Sequence, residues 1–145
     1  MKMNPLTAQT FRPYGRLIEY PGKNRKGKKR NLWRIVLKEP DRFGWRIAYL
    51  VLRDKTLRRL EKHPHTYESF EPVKGKSLIF VSLNRDFKKV KCFRLDKPII
   101  LRKGIWHGLI SLTSETEIKI TENVEVKCVY WLLNKTQTKE FAWKP

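Results

Sequence analysis

The chain has 145 residues, of which 40% are hydrophobic and 32% charged, and its 33 Lys+Arg against 14 Asp+Glu give a formal net charge of +19. This composition excludes disorder and fibrous repeats, and it allows a single domain with a sizeable core. No apolar run reaches the roughly 18 residues that span a membrane, and the N-terminus lacks the apolar run of a signal peptide. We therefore expect a soluble cytoplasmic protein with no membrane partner.

Residues 1–31 are predicted to hold a short helix, a first strand and a basic loop. The helix is predicted within Leu6–Gly15, capped by Thr7 and ending before Pro13. Arg16–Tyr20 alternates in hydropathy and predicts the strand. The loop contains the run Lys23–Arg30, KNRKGKKR, which favours solvated chain; contact with phosphate or nucleic acid is the alternative. We expect any binding of nucleic acid to be electrostatic and non-specific.

The rest of the chain is dominated by short stretches rich in aromatic and β-branched residues. Turn-forming stretches, among them Glu122–Asn123, separate them at a spacing of about 8–12 residues, which predicts a β-sandwich or barrel. Arg53–Leu60 is ambiguous between a helical turn and a strand over Thr56–His63. The predicted strands are Leu32–Leu37, Trp45–Arg53, Ser77–Leu83, Lys91–Leu95, Pro98–Leu101, His107–Leu112, Glu117–Ile120 and Glu125–Leu133. The polar tail 134–145 is expected to pack back through Phe141 and Trp143, and Cys92 and Cys128 are expected to be buried.

The residues that can carry chemistry are concentrated in two separated segments. Two of the three histidines, His63 and His65, lie close to Glu61 and Glu68, and the third is His107. Residues i and i+2 of a strand face the same way, so Glu61 and His63 share a face, and a wider turn can return Glu68 to it. If the strand of His107 is adjacent, two imidazoles and two carboxylates converge. Such a set can bind Zn, Fe, Ni or Mn, or it can serve as an acid/base pair without metal.

The first segment resembles the first motif of the cupin superfamily. Glu61-x-His63, four residues, Glu68, six residues and Gly75 match its spacing, with Glu61 where a histidine is usual. A register with His63-x-His65 leaves too few residues before Glu68. We therefore favour Glu61, His63 and Glu68 as the matching positions, and we treat His65 as a neighbour of the pocket.

The second segment resembles the second cupin motif, through Pro98, Gly104-x-x-His107 and a serine, Ser111, where asparagine is usual. The resemblance implies an all-β cupin barrel, a double-stranded β-helix of jelly-roll type with a short N-terminal helix. It covers one domain over 1–145, divided into an N-terminal segment of residues 1–31, a barrel of residues 32–133 and a tail of residues 134–145.

Within the cupins the chain is most similar to ureidoglycolate lyases. The opening LTAQTFRPYGRLIE, the stretch Glu61–Pro64 followed by Phe70 and Pro72, and the turn Arg102–His107 carry this likeness. Two departures are His65 and Glu68, where those lyases usually have an apolar residue and glutamine.

The resemblance implies cleavage of ureidoglycolate, or a related 2-hydroxy acid derivative, to glyoxylate and urea, a late step of allantoin breakdown. It makes His63 or His107 the base and Glu68 either the acid or the group that orients the imidazole. Lys103, and next Arg102, would bind the substrate carboxylate, and Tyr67 could offer its hydroxyl to the ligand.

A divalent ion, Mn, Ni, Zn or Fe, would be held by His63, Glu68 and His107, with Glu61 and His65 as further candidates. No organic cofactor is expected, and we expect a homodimer. The alternatives are a metal-dependent cupin isomerase or dioxygenase and a non-catalytic module that binds anions or nucleic acid.

Overall fold

The computed structural model describes residues 2–19, 32, 35–40 and 44–141. Within these ranges the chain forms eleven strands, two α-helices and a 3-10 helix over Phe87–Lys89. The strands are β1 (Met3–Asn4), β2 (Gly15–Leu17), β3 (Trp45–Leu52), β4 (Arg59–Lys62), β5 (Glu68–Lys74), β6 (Ser77–Ser82), β7 (Lys91–Arg94), β8 (Ile99–Leu101), β9 (Trp106–Ser111), β10 (Thr116–Asn123) and β11 (Val129–Leu132). The helices are α1 (Ala8–Phe11) and α2 (Lys135–Glu140). The basic run Lys23–Arg30 and Trp143 lie outside the described residues.

The strands form two sheets, ordered β1-β7-β6-β9-β4-β11 and β2-β8-β5-β10-β3. The pairs are antiparallel except β1 with β7. Strands β3 to β10 give the orders β7-β6-β9-β4 and β8-β5-β10-β3, which is the strand order of a jelly roll. The predicted all-β barrel of jelly-roll type is therefore confirmed.

The hydrophobic core lies on both sides of the six-stranded sheet. One cluster contains residues of both sheets, such as Phe70, Ile79 and Ile118, and so fills the space between them. A second cluster, around Trp106 and Trp131, covers the opposite face of the six-stranded sheet. Strand β6 is buried along its whole length because it contributes alternate residues to the two clusters. No helix in the described ranges is long and apolar enough to cross a membrane.

Helix α1 and most of the strands form where the sequence predicts them. Thr7 caps α1, its side chain accepting a hydrogen bond from the backbone N–H of Thr10. Strand β5 was not predicted, because Pro72 interrupts its apolar pattern. Among the described residues, β8 pairs with Glu68–Phe70 of β5 and not with Pro72, so Pro72 has one neighbouring strand there, β10, and lies beside a register shift.

Three other predictions need correction or completion. The described residues of the predicted strand Leu32–Leu37, which are 32 and 35–37, are not in a strand. The ambiguous segment Arg53–Leu60 leads into β4 and forms no helix. The polar tail forms helix α2, with a capping box between Asn134 and Gln137 that the sequence analysis missed. Phe141 packs back against Phe80, with ring centroids 4.9 Å apart, as expected.

We expect Gly15→Ala to lower the free energy of unfolding by roughly 2–3 kcal/mol. A Cβ at Gly15 would lie 1.9 Å from the carbonyl oxygen of Ile100, so β2 and β8 could not keep their pairing. Gly104→Ala is the control, because its Cβ would meet nothing within 4 Å and only the positive φ of 78° is unfavourable. Urea unfolding compares the two variants. Equal losses would show that the close approach at Gly15 does not matter.

Candidate metal centre

Both predicted motif segments contribute to one site between the sheets. Glu61 lies on β4 and is the register partner of His107 on β9, and His63 follows the last residue of β4. Glu68 is the first residue of β5 in the opposite sheet. The turn before β9 is held to the first segment, because the backbone N–H of Gly104 donates a hydrogen bond to the carbonyl of His63 at 2.8 Å.

His63, Glu68 and His107 form what we call the histidine–glutamate cluster. The Nε2 atom of His63 lies 3.1 Å from Oε2 of Glu68, and Nε2 of His107 lies 3.0 Å from the same oxygen. All three residues are buried, with exposed fractions of 6%, 6% and 3%. Glu61 is more exposed, and its Oε1 lies 3.9 Å from Nε2 of His107. The structure therefore brings together the four residues that the favoured register predicts.

The other nitrogen of each imidazole faces a backbone carbonyl. Nδ1 of His107 lies 2.9 Å from the oxygen of Ile105, and Nδ1 of His63 lies 3.3 Å from that of Lys127. A carbonyl oxygen only accepts, so Nδ1 carries the proton in each ring and a neutral ring has its lone pair on Nε2. Backbone carbonyls orient metal-binding histidines in this way. Both lone pairs consequently lie on the side of Glu68.

The cluster leaves buried polar atoms without an aligned partner. Within the described residues, Oε2 of Glu68 and Nε2 of His107 have no hydrogen bond of acceptable geometry, although they lie only 3.0 Å apart. Buried polar atoms normally find a partner. Two imidazole nitrogens and a carboxylate that converge without bonding to one another fit a divalent cation, for which imidazole and carboxylate are suitable ligands.

Glu122 is a candidate ligand that the sequence analysis placed at a turn. It lies on β10 as the register partner of Glu68, and its carboxylate accepts hydrogen bonds from Arg46, the nearer at 2.8 Å. Two groups of possible ligands have their ligand atoms within 4.8 Å of one another: Glu61, His63 and His107, and His63, Glu68 and Glu122. The alternation of buried Thr116, Ile118 and Ile120 puts Glu122 on the inner face, so the signal was present in the sequence.

In the cluster, Glu68 and His63 each shift the pKa of the other. Burial raises the pKa of the Glu68 carboxyl, but the contacts with His107 and His63 outweigh burial and lower it to about 2. Burial lowers the pKa of His63, but its contact with the Glu68 carboxylate outweighs burial and raises it. Without metal the cluster is therefore suited to hold a proton on His63. A metal ion would compete with that proton for Nε2.

A cavity of about 420 Å³, which we call the cleft, reaches Glu68 and His107. Its polar lining includes Arg58, Arg59 and Glu61. The guanidinium of Arg59 lies 4.7 Å from the centre of the Tyr130 ring. The apolar lining is Leu50, Leu52, Leu57, Phe70, Leu109 and Ile120. The cleft thus combines an apolar wall, guanidinium groups and the buried cluster.

The predicted anion contacts lie elsewhere. None of Lys103, Arg102 and Tyr67 is among the residues that line the cleft. Nζ of Lys103 lies 2.8 Å from Oε1 of Glu39 and 5.1 Å from the centre of the Tyr67 ring. Arg102 lines a separate cavity. Arg102 and Lys103 directly follow β8, which lies between β2 and β5 in the five-stranded sheet.

His65 is exposed in the turn between β4 and β5 and belongs to neither group of possible ligands. His65 is the one exposed residue between the buried His63 and the buried Glu68. Cys128 is exposed, contrary to expectation, and its Sγ lies 3.6 Å from Nδ1 of His63. Cys92 is buried as expected, and burial raises the pKa of its thiol to about 12.

Comparisons with known proteins give distant structural likenesses. No family model and no curated protein matches the chain. A mutant of Bacillus subtilis oxalate decarboxylase is similar with a TM-score of 0.47 and 15% identity, over 62% of this chain and 24% of that one. The sugar 3,4-ketoisomerase QdtA from Thermoanaerobacterium thermosaccharolyticum, in complex with TDP, is similar with a TM-score of 0.47 and 13% identity, over 66% of this chain and 72% of that one. The chain therefore spans about a quarter of the length of oxalate decarboxylase.

Proposed function

We propose that the chain is a metal-dependent enzyme of small carboxylic acids, with the ion held by His63, Glu68 and His107. The observation that supports this most directly is the convergence of two imidazole Nε2 atoms on one buried carboxylate oxygen without hydrogen-bond alignment. Glu122 is available as a further oxygen ligand. Mixed imidazole and carboxylate ligation suits Mn, Fe, Ni or Zn.

The specific reaction we propose is cleavage of ureidoglycolate, or a related 2-hydroxy acid derivative, to glyoxylate and urea. A base removes the proton of the carbinol hydroxyl, the oxygen electrons form the aldehyde C=O, and the C–N bond breaks. The departing nitrogen takes a proton and leaves as urea, so the reaction needs no water and no oxidant. The similarity to ureidoglycolate lyases at Glu61–Pro64 and Arg102–His107 supports this choice of substrate.

Two residues of the cleft are suited to the remaining roles. Glu61 lines the cleft near His107 and is partly exposed, so we assign it the proton transfer at the carbinol hydroxyl. Arg59 lines the same cleft, and a guanidinium binds a carboxylate through two parallel hydrogen bonds. The ion, when bound, supplies Lewis acidity at the carbinol or carboxylate oxygen.

The decisive assay follows glyoxylate release from ureidoglycolate by chelator-treated protein, alone and after addition of Mn, Fe, Ni or Zn. We expect glyoxylate only with added metal, at one ion per chain by elemental analysis. Tight metal binding without glyoxylate would reject the lyase while retaining the metal centre. Activity that survives chelation would instead favour the metal-free acid/base pair.

The role of Arg59 predicts a specific kinetic result. We expect Arg59→Gln to raise KM for ureidoglycolate roughly 10–100-fold, since a charge-assisted hydrogen bond contributes about 1.5–3 kcal/mol. Lys103→Gln, which changes a cation outside the cleft, should leave KM within about twofold of the unmodified protein. Steady-state kinetics on the metal-loaded variants test both. If Lys103→Gln alone raised KM strongly, Lys103 and not Arg59 would bind the substrate carboxylate, as the family resemblance implies.

A further inference from the structure

A second cavity lies beside strand β2, at one end of the five-stranded sheet. It has a volume of about 350 Å³ and is lined by three arginines, Arg12, Arg16 and Arg102, so we call it the arginine pocket. The arginine pocket and the cleft have no lining residue in common. Cavities of this size bind small organic molecules in other proteins. The arginine pocket is therefore a candidate ligand site that is separate from the candidate metal centre.

The three arginines come from separate elements that the backbone holds together. Arg12 is the C-cap residue of α1, Arg16 is the middle residue of β2, and Arg102 directly follows β8. Strand β2 pairs with β8, with Arg16 opposite Ile100. The backbone N–H of Arg102 also donates a hydrogen bond to the carbonyl of Tyr14 at 2.9 Å. These contacts fix the strands that carry Arg16 and Arg102 beside the residues that follow α1.

The residues that line the arginine pocket carry an excess of positive charge. Arginine keeps its charge at all ordinary pH values. The guanidinium of Arg16 donates a hydrogen bond to the carbonyl oxygen of Val36 at 2.9 Å, which orients the group without neutralising it. Glu19 also lines the pocket, but its Oε2 lies 3.5 Å from Nζ of Lys97. Three guanidinium groups therefore face a single carboxylate, and that carboxylate already has a cation beside it.

We propose that the arginine pocket binds the phosphate group of a small hydroxylated molecule, that is, a phosphate monoester. Near pH 7 such a group carries about −1.5 to −2 charges and offers three acceptor oxygens. A guanidinium can donate two parallel hydrogen bonds to phosphate. A carboxylate has one negative charge and two oxygens, so it matches three guanidinium groups less well.

The remaining lining suits the carbon atoms and hydroxyls of such a molecule. Ala8, Leu17 and Val36 form the apolar part of the lining. The Glu19 carboxylate can accept a hydrogen bond from a hydroxyl. No aromatic residue is among the described residues that line the pocket, whereas proteins that bind single-stranded nucleic acid stack its bases on aromatic side chains. The lining therefore favours a sugar phosphate or a similar small ester over nucleic acid.

Calorimetric titration of the nuclease-treated full chain with ribose 5-phosphate tests the proposal, before and after treatment with a chelator. At a salt concentration of about 0.15 M, which screens non-specific attraction, we expect one molecule to bind per chain. The affinity should be the same in both samples, because the arginine pocket contains none of the possible metal ligands. A phosphate group that binds to a metal ion would instead be lost on chelation.

Variants of the arginines locate the bound phosphate. Arg12→Gln and Arg102→Gln are each expected to weaken the binding of ribose 5-phosphate roughly 10-fold or more, since each removes a charge-assisted hydrogen bond. Arg94→Gln is the matched control, because Arg94 is exposed on β7 and lines neither the arginine pocket nor the cleft. Its affinity should stay within about twofold of the unmodified protein, because salt screens a distant charge.

Several outcomes would overturn the proposal. They are the absence of binding at about 10 mM ribose 5-phosphate, loss of binding on chelation, and equal weakening by Arg94→Gln, which would indicate general attraction to a cationic surface. Tighter binding of succinate would assign the pocket to dicarboxylates instead. A DNA oligonucleotide that binds through Arg12 and Arg102 while ribose 5-phosphate does not would assign it to nucleic acid.

Discussion

His107→Gln is expected to abolish stoichiometric binding of the divalent ion and, with it, glyoxylate release from ureidoglycolate. His107 is 3% exposed, and Ile105 fixes its ring so that Nε2 lies beside the Glu68 carboxylate. Changes to groups that only orient a ligand already cost 10–100-fold in metal affinity. Removal of a ligand itself should therefore cost on the order of 100-fold or more.

The matched control is His65→Gln, the same substitution two residues after His63. His65 is exposed and outside both groups of possible ligands, so metal affinity and activity should not change. Elemental analysis after dialysis and calorimetric titration measure the affinity, and circular dichroism verifies the fold. Loss of metal from the His65 variant with retention in the His107 variant would move the centre to the turn and remove the basis for the proposed enzyme.

The alternation of side chains along strands made the site predictable before its fold was known. Parity placed Glu61 and His63 on one face, and the structure pairs Glu61 directly with His107 on the neighbouring strand. Glu122 was missed because the polar pair Glu122–Asn123 resembles a turn, although β10 continues through both residues. The parity of buried Ile118 and Ile120 was the better guide to Glu122, because a strand keeps its facing until it ends.

The predicted anion contacts show why a motif can locate a turn without locating its side chains. The turn Arg102–His107 brings Gly104 to the backbone of His63, which fixes where the chain passes. The turn motif does not determine on which surface its long side chains lie. Lys103 pairs with Glu39, a residue that belongs to neither motif. Arg59 lies on β4 and lines the cleft. The residue pattern of β4 does not by itself distinguish an arginine that lines a cleft from an arginine on the surface.

Glu68→Gln is expected to reverse the pH dependence of stability in the metal-free protein. The pKa of Glu68 falls from 4.5 to about 2 on folding, so its contribution is present above pH 4.5 and is lost as the pH falls toward 2. At about 1.4 kcal/mol per unit this is on the order of 3 kcal/mol. His63 has a raised pKa, so its contribution is complete below 6.5 and is lost as the pH rises through the folded value.

In Glu68→Gln the carboxylate that most raises the pKa of His63 is gone. We expect burial, the largest single cause and a lowering one, to outweigh the Lys127 carbonyl and the Glu61 carboxylate, which remain. The unfolded chain then binds the proton more tightly than the folded chain, so the stability of the variant should increase as the pH rises toward about 6.5. In the unmodified protein the contribution of His63 is constant over that range and decreases above pH 6.5. Urea unfolding in the presence of chelator measures both slopes. Glu19→Gln, which removes a half-exposed partner of Lys97, is the control and should change stability by less than about 1 kcal/mol at every pH. Parallel pH profiles for Glu68→Gln and the unmodified protein would contradict this prediction. They would show that the Glu68 carboxylate does not keep the proton on His63.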